Sequence, residues 1–223
     1  TKQATMLSLP RDLYVDVPGR GPDRINTAYV AGGGPVAMQV VEDTLGVPVD
    51  HYMVVQFGAF TTLVDQIGGI DIYVPYEIND PEFPAECYSR SDCGFEPLFV
   101  PAGLQHMDGY TALRYARTRH GDSDYERARR QQAVIFAIRD RVVSFSMLPT
   151  LIQKAPTLAA TIGDSLRTDM TLEQMLDLAQ LTIDTPDDNI RSAVLDGRYV
   201  IPTRTSGGAS VLAPDSAKIA PLI

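Results

Sequence analysis

Between residues 51 and 74 the chain runs strand, helix, strand in close succession, and that order limits what it can fold into. His51-Tyr52-Met53-Val54-Val55-Gln56-Phe57 is a short apolar run that reads as a buried strand. Phe60, Leu63, Val64 and Ile67 then recur at helical spacing over 59–67. Gly68-Gly69 stops that helix, and Ile70 to Val74 reads as a second strand. Strand–helix–strand at this spacing predicts an α/β core.

The flanks fit that class. Residues 5–9 and 13–17 read as short strands around Pro10-Arg11-Asp12, with a loop over 19–22. Gly32-Gly33-Gly34-Pro35 opens a helix with Pro35 at its first position, and Gly46 ends it. Residues 76–100, rich in Pro and acids, read as a surface excursion. A short helix is expected over 108–116. Ser123 with Glu126 and Thr171 with Gln174 are capping boxes opening two further helices, and a Pro-interrupted helical stretch covers about 147–165. Residues 191–200 read as a final strand pair or edge strand. One domain over 1–202 is expected, with 203–223 a loose tail on its Gly, Ser, Ala and Pro content.

Charge excludes one class of partner. The net charge is −9, whereas duplex binding needs a basic footprint, so nucleic acid is not expected. The basic residues are 16 Arg and only 3 Lys, and 8 of the Arg fall between Arg114 and Arg141. Arg meets phosphate oxygens in pairs, which Lys cannot do.

Within that window Arg117 and Arg119 are two apart. An extended stretch would point both the same way. Arg127, Arg130 and Gln131 share one face at the start of the helix that Ser123 caps, with Asp124 beside them. A helix N-terminus favours anions through its free N–H groups and dipole. Two arginines on a strand and two on a helix start match the donors a pyrophosphate takes. The competing reading is a set of surface ion pairs with Asp124 and Glu126, worth about 0–1 kcal/mol each. Arg11 and Arg24, each beside an Asp, form a second group; the residues alone favour an Arg-Asp pair stabilising a turn, with phosphate contact the competing reading.

Cys87 and Cys93 lie six apart in a loop, which suits either a local disulfide or two free thiols. No nucleophile elbow or Gly-Lys-Ser/Thr phosphate loop occurs, and the three His are scattered. No stretch reaches the roughly 20 apolar residues of a spanning helix.

Taken in order, the motifs of residues 5–140 resemble the catalytic domain of the LytR–CpsA–Psr family of cell-wall glycopolymer transferases. They are Leu7-Ser8-Leu9-Pro10-Arg11-Asp12, Arg24-Ile25-Asn26-x-Ala28-Tyr29 with Gly32-Gly33, and Val49-Asp50-His51-Tyr52 through Phe57 and Phe60. Then come Leu63-Val64-Asp65-x-x-Gly68-Gly69-Ile70-Asp71-Ile72 and Pro101-Ala102-Gly103-x-Gln105-x-x-Asp108-Gly109-x-x-Ala112-Leu113. Arg117-x-Arg119 and Asp124-x-x-Arg127-x-x-Arg130-Gln131-Gln132 close the set.

The resemblance implies an enzyme on the extracytoplasmic face of a bacterial membrane, held by an N-terminal span that is not in this chain. Such an enzyme moves a glycan-phosphate from a polyprenyl-pyrophosphate carrier to peptidoglycan, with Mg²⁺; its implied fold is a central mixed sheet flanked by helices, an α/β/α sandwich, with the lipid tail in an apolar tunnel. The alternative is a module that binds polyprenyl (pyro)phosphate without turnover. Arg11, Arg117, Arg119, Arg127 and Gln131 match the family's phosphate-contacting positions, and Asp124 its helix-start carboxylate. The resemblance thus makes Arg11, Arg117, Arg119 and Asp124 the catalytic candidates. Two departures stand out. The family's Arg-x-Asp-Thr strand, whose Asp helps hold the metal, would lie upstream of Thr1, so the metal ligands stay unassigned. Gln56 stands where the family usually has Asp.

Overall fold

The computed structural model describes residues 3–85, 94–119, 121, 123–144 and 147–222. In chain order these hold β1 (Ala4–Ser8), β2 (Tyr14–Val17), β3 (Gly21–Arg24), α1 (Ala28–Leu45), β4 (Met53–Val55) and α2 (Phe57–Gln66). Next are β5 (Ile70–Val74), β6 (Ile78–Asp80), β7 (Leu98–Val100), β8 (Gly103–Met107), α3 (Gly109–Arg117), α4 (Asp124–Ser144) and α5 (Leu148–Ile162). Last come β9 (Leu166–Thr168), α6 (Leu172–Asp184), β10 (Ile190–Val194), β11 (Val200–Arg204), β12 (Ser210–Pro214) and α7 (Ser216–Ile219). The fold is mixed α/β, with parallel and antiparallel pairing both present. The chain divides into two compact units, residues 1–54 with 166–223 and residues 55–165.

In the first unit β1 pairs in parallel with β10, and β2 and β3 form an antiparallel hairpin. β3 occupies part of the stretch expected as a loop over 19–22. The helix expected to open at Gly32 already begins at Ala28. It breaks at Gly32 and Gly33 (φ 69° at Gly33) and resumes through Pro35. A Cβ on Gly34 would fall 2.3 Å from the Tyr52 ring, so the ring lies directly on the helix backbone. β11 and β12 are antiparallel, and Leu212 donates its N–H to the Asp12 carbonyl. The tail expected to be loose is therefore built in: Val211 and Ile219 are buried in it.

The second unit carries the expected helix and strand over 57–74. β5 alternates as a half-buried strand should: Ile70, Ile72 and Val74 are buried while Asp71 and Tyr73 face out. It pairs antiparallel with β8, and β6 pairs with β7 inside the stretch read as a surface excursion. Cys87 and Cys93 lie outside the described residues. The run at 51–57 departs from expectation: only Met53–Val55 is strand. Val55 and Phe57 are 42% and 52% exposed because they line an open apolar cavity rather than a closed core. Among the described residues no helix is long and apolar enough to cross a membrane.

Candidate functional site

The site grows from α3. Asp108 caps the helix by accepting the Thr111 N–H at 2.8 Å, which holds the Asp108 carboxyl below its usual range. Arg114 is buried and structural, donating to the Pro97 carbonyl at 2.9 Å and stacking over the Phe83 ring. Arg117 is the last helical residue. Thr118 leaves the helix in an extended conformation (φ −56°, ψ 146°), and Arg119 follows it. The pair expected on a strand thus sits at a helix end, yet both side chains line the same cavity of about 590 Å³.

The opposite wall comes from the first turns of α4. The Ser123 hydroxyl accepts the Glu126 N–H, supplying one half of the expected capping box. Arg127 and Gln131, one turn apart, line the cavity with Arg117 and Arg119. Asp124 pairs with Arg127 at 2.8 Å and stands 3.9 Å from Arg119, bridging the two arginines. The Arg117 guanidinium lies 4.2 Å from the Phe57 ring centroid and 5.6 Å from that of Phe83, so two aromatic faces fix its plane. Asp80 and Glu82 also line the cavity, so three guanidiniums there face two carboxylates.

Beside it lies an apolar cavity of about 540 Å³ walled by residues of α2, α3, α4 and α5, including Phe60, Leu63, Ile135, Ile138 and Leu151. Its polar lining residues are Gln66, Arg117 and Gln131. Phe57, Arg117 and Gln131 line both cavities. One site therefore joins an arginine-lined end to an aliphatic one, the chemistry of an anionic head on a hydrocarbon tail.

Arg117, Arg119, Arg127 and Gln131 are brought together, with Asp124 against them. Arg130 is a correction. It is 7% exposed and turned to α3, donating to the carbonyls of Tyr115 and Thr118, and so is not free to face a phosphate. Arg11 and Arg24 belong to the first unit and flank one carboxylate there, at 3.6 and 3.1 Å from Asp12; Arg24 also donates to the Ser210 carbonyl. Asp80 escaped the sequence reading, although an Asp at the inward register of β6, two after buried Ile78, was a visible signal. Glu82 and Phe83, beyond the strand, carried no such signal.

The metal fares differently. Among the described residues no group of three or more His, Cys, Asp or Glu comes together. Asp80 in the second unit is hydrogen-bonded by Thr118, and Asp12 in the first is flanked by Arg11 and Arg24, so each carboxylate is engaged within its own unit.

Comparison with known proteins agrees with this architecture. The LytR_cpsA_psr family model matches residues 1–222. The chain is 33% identical over 181 residues to the polyisoprenyl-teichoic acid–peptidoglycan teichoic acid transferase TagU of Enterococcus faecalis, covering 80% of this chain and 54% of that protein. It is 32% identical over 177 residues to the transferase TagT of Bacillus subtilis, covering 79% and 52%. The chain spans about half the length of these curated relatives. Among solved structures, B. subtilis TagV superposes with a TM-score of 0.75 at 27% identity, covering 99% of this chain and 81% of that one. TagT bound to LIIa-WTA gives a TM-score of 0.74 at 26% identity, covering 99% and 77%. The motifs, the fold and the matched length converge: this chain belongs to the LytR_cpsA_psr family.

Proposed function

We propose that this domain binds a polyprenyl-pyrophosphate-linked glycan and transfers the glycan-phosphate to a hydroxyl of peptidoglycan or another envelope acceptor. The observation that carries the reading is the shared wall. Phe57, Arg117 and Gln131 line both the arginine cavity and the apolar one. A pyrophosphate in the first would have its prenyl chain beside the second. The names of the transferase relatives and the wall-teichoic-acid complex of TagT support the substrate class.

In the reaction, the acceptor oxygen attacks the phosphorus that bears the glycan. A new P–O bond forms, the bond to the bridging pyrophosphate oxygen breaks, and polyprenyl monophosphate leaves. Charge on the transferred group and the leaving oxygen is met by Arg117, Arg119 and Arg127. Catalysis of this kind is mostly positioning and electrostatics. Asp124, held beside Arg127, orients that guanidinium. The hydroxyl proton is taken by a carboxylate of the cavity, for which Glu82 is placed on the lining. Arg11 belongs to the same proposal through the resemblance alone. Mg²⁺ belongs to it through the resemblance alone, and when bound would supply further neutralisation of the phosphate charge. The setting is the outer face of a bacterial membrane, with an anchor supplied by sequence upstream of Thr1.

The test is incubation of the protein, joined to its upstream sequence, with a short-chain polyprenyl-pyrophosphate glycan and peptidoglycan oligomers, with Mg²⁺ or with EDTA. Glycan-phosphate on peptidoglycan and release of polyprenyl monophosphate is the expected result. Lipid binding without product in either condition would favour the non-catalytic module.

A further inference from the structure

Thr118 stands between Arg117 and Arg119, and three of its polar groups are engaged by residues from three elements. Its N–H donates to the Arg114 carbonyl at 3.0 Å. Its hydroxyl donates to the Asp80 carboxylate at 2.6 Å, and its carbonyl accepts from Arg130 Nη2 at 2.6 Å. Thr118, Asp80 and Arg130 are 1%, 5% and 7% exposed. Arg130 Nε also donates to the Tyr115 carbonyl, and Gln131 Nε2 to that of Ala116.

A helix leaves its last carbonyls without intrahelical partners. In α3 the Tyr115 and Ala116 carbonyls are taken by the adjacent pair Arg130 and Gln131 on α4. Asp80 holds Thr118 from β6, and its own carbonyl accepts the Phe83 N–H of the turn that brings Phe83 beside Arg117. The extended conformation at Thr118 turns the chain out of α3 so that both flanking guanidiniums line one cavity. A hydrogen bond from a hydroxyl to a buried carboxylate is short and charge-assisted, and both partners lose if either is removed.

We infer that Asp80 and Arg130 are positioning residues that act through Thr118 to aim Arg117 and Arg119 into one anion site. The inference rests on reading the arginine cavity as the phosphate site. Arg130, placed by its spacing on the phosphate face, then has a different duty: it fixes the helix end from which the phosphate ligands project. Asp80, although it lines the cavity, works by gripping a hydroxyl rather than by touching the reacting group.

The experiment compares Asp80→Ala, Thr118→Val, Thr118→Ser and the double variant Asp80→Ala/Thr118→Val. One readout is inorganic pyrophosphate affinity by calorimetry. The other is the ¹⁵N Nε–H spectrum of the arginines in ligand-free protein, which needs no ligand at all. Thr118→Val should weaken pyrophosphate binding about five- to tenfold, and the double variant should lose no more than that, because both changes break one interaction and losing the Asp80 carboxylate also removes charge that repels the anion. Thr118→Ser keeps the hydroxyl and should stay within about twofold of the starting protein. The Arg117 and Arg119 signals should shift or broaden in Thr118→Val while backbone amide spectra of the first unit stay in place.

Multiplying losses in the double variant would overturn the inference, because Asp80 would then act independently of Thr118. So would a Thr118→Val protein equal to the starting protein in both readouts. If Asp80→Ala does not fold, Thr118→Val decides alone. If the starting protein takes up no pyrophosphate, the phosphate reading falls, and the arginine spectra still decide whether the clamp exists.

Discussion

The Asp65 carboxylate accepts the backbone N–H of Gly109 at 2.7 Å, so the helix that ends in Arg117 begins against a side chain of α2. A Cβ on Gly109 would fall 2.2 Å from the Thr61 carbonyl oxygen. That contact is backbone against side chain at a buried position, and backbone cannot swing aside. Gly109→Ala is therefore expected to cost about 1–3 kcal/mol, as overpacking does. The urea midpoint and Tm check it; an unchanged midpoint would mean α2 and α3 are not in contact as described.

Charge-assisted contacts to a phosphate contribute about 1.5–3 kcal/mol each. Arg117→Ala and Arg127→Ala are therefore expected to weaken binding of a polyprenyl pyrophosphate about tenfold or more. Arg117→Lys should also lose affinity, because an ammonium neither stacks between Phe57 and Phe83 as a plane nor forms paired contacts. Arg129→Ala is the control: Arg129 shares α4 with Arg127, but it pairs with Glu126 and does not line the arginine cavity. Equal affinities across all four would remove the site assignment. Arg139 is a poor control despite its distance along α4, since its side chain is only 10% exposed.

The strands with one buried face were legible in the sequence, since a period of two survives whatever packs on them, and β5 is where it read best. The helix caps at Ser123 and Thr171 were legible for the same local reason. The end of α3 was not. No glycine or proline follows Arg117 until Gly121, and what unwinds the chain at Thr118 is Asp80 and Arg130, distant in sequence. Helical spacing placed Arg127 and Arg130 on one face, but it is blind to the unsatisfied carbonyls of α3 that draw Arg130 away. The tail over 203–222 misled by composition. Its order comes from a turn closed by Thr205 and Ala209 and from single buried anchors, Val211 and Ile219, too few to make a periodic pattern.

The apolar cavity makes a separate prediction. Ile135 lines it and is 51% exposed, so a larger side chain there can be accommodated without disturbing a packed core. Ile135→Trp should lower affinity for geranylgeranyl pyrophosphate about tenfold, while inorganic pyrophosphate stays within about twofold, because the loss falls on buried prenyl surface. Titration of the variant with both ligands tests it. A parallel loss for both would place the tail elsewhere.

Acid should loosen α3 at the end that Asp108 caps. The Thr111 N–H holds the Asp108 carboxyl below its usual value of 3.8, so the folded pKa lies under the unfolded one. Its contribution is fully present above the unfolded value and is lost as pH falls through the folded pKa. Asp108→Asn keeps a cap that does not ionise. Its urea midpoint should fall less between pH 7 and pH 3 than that of the starting protein; an equal fall would exclude Asp108 from the acid response.

The pairing of β1 with β10 carries a consequence for biosynthesis. Ala4 to Ser8 align with Ile190 to Val194, so β1 has no strand partner until β10, far along the chain, has been made. Residues 55–165, by contrast, form an uninterrupted compact unit whose contacts are complete much earlier. Synthesis therefore presents an orphaned strand edge, Thr5-Met6-Leu7 among its residues, throughout the making of the segment between β1 and β10, and unpaired edges template aggregation. A chain of this kind gains from being kept extended until β10 arrives, and truncation short of Ile190 should leave the arginine-bearing unit intact while the first strand has nothing to join.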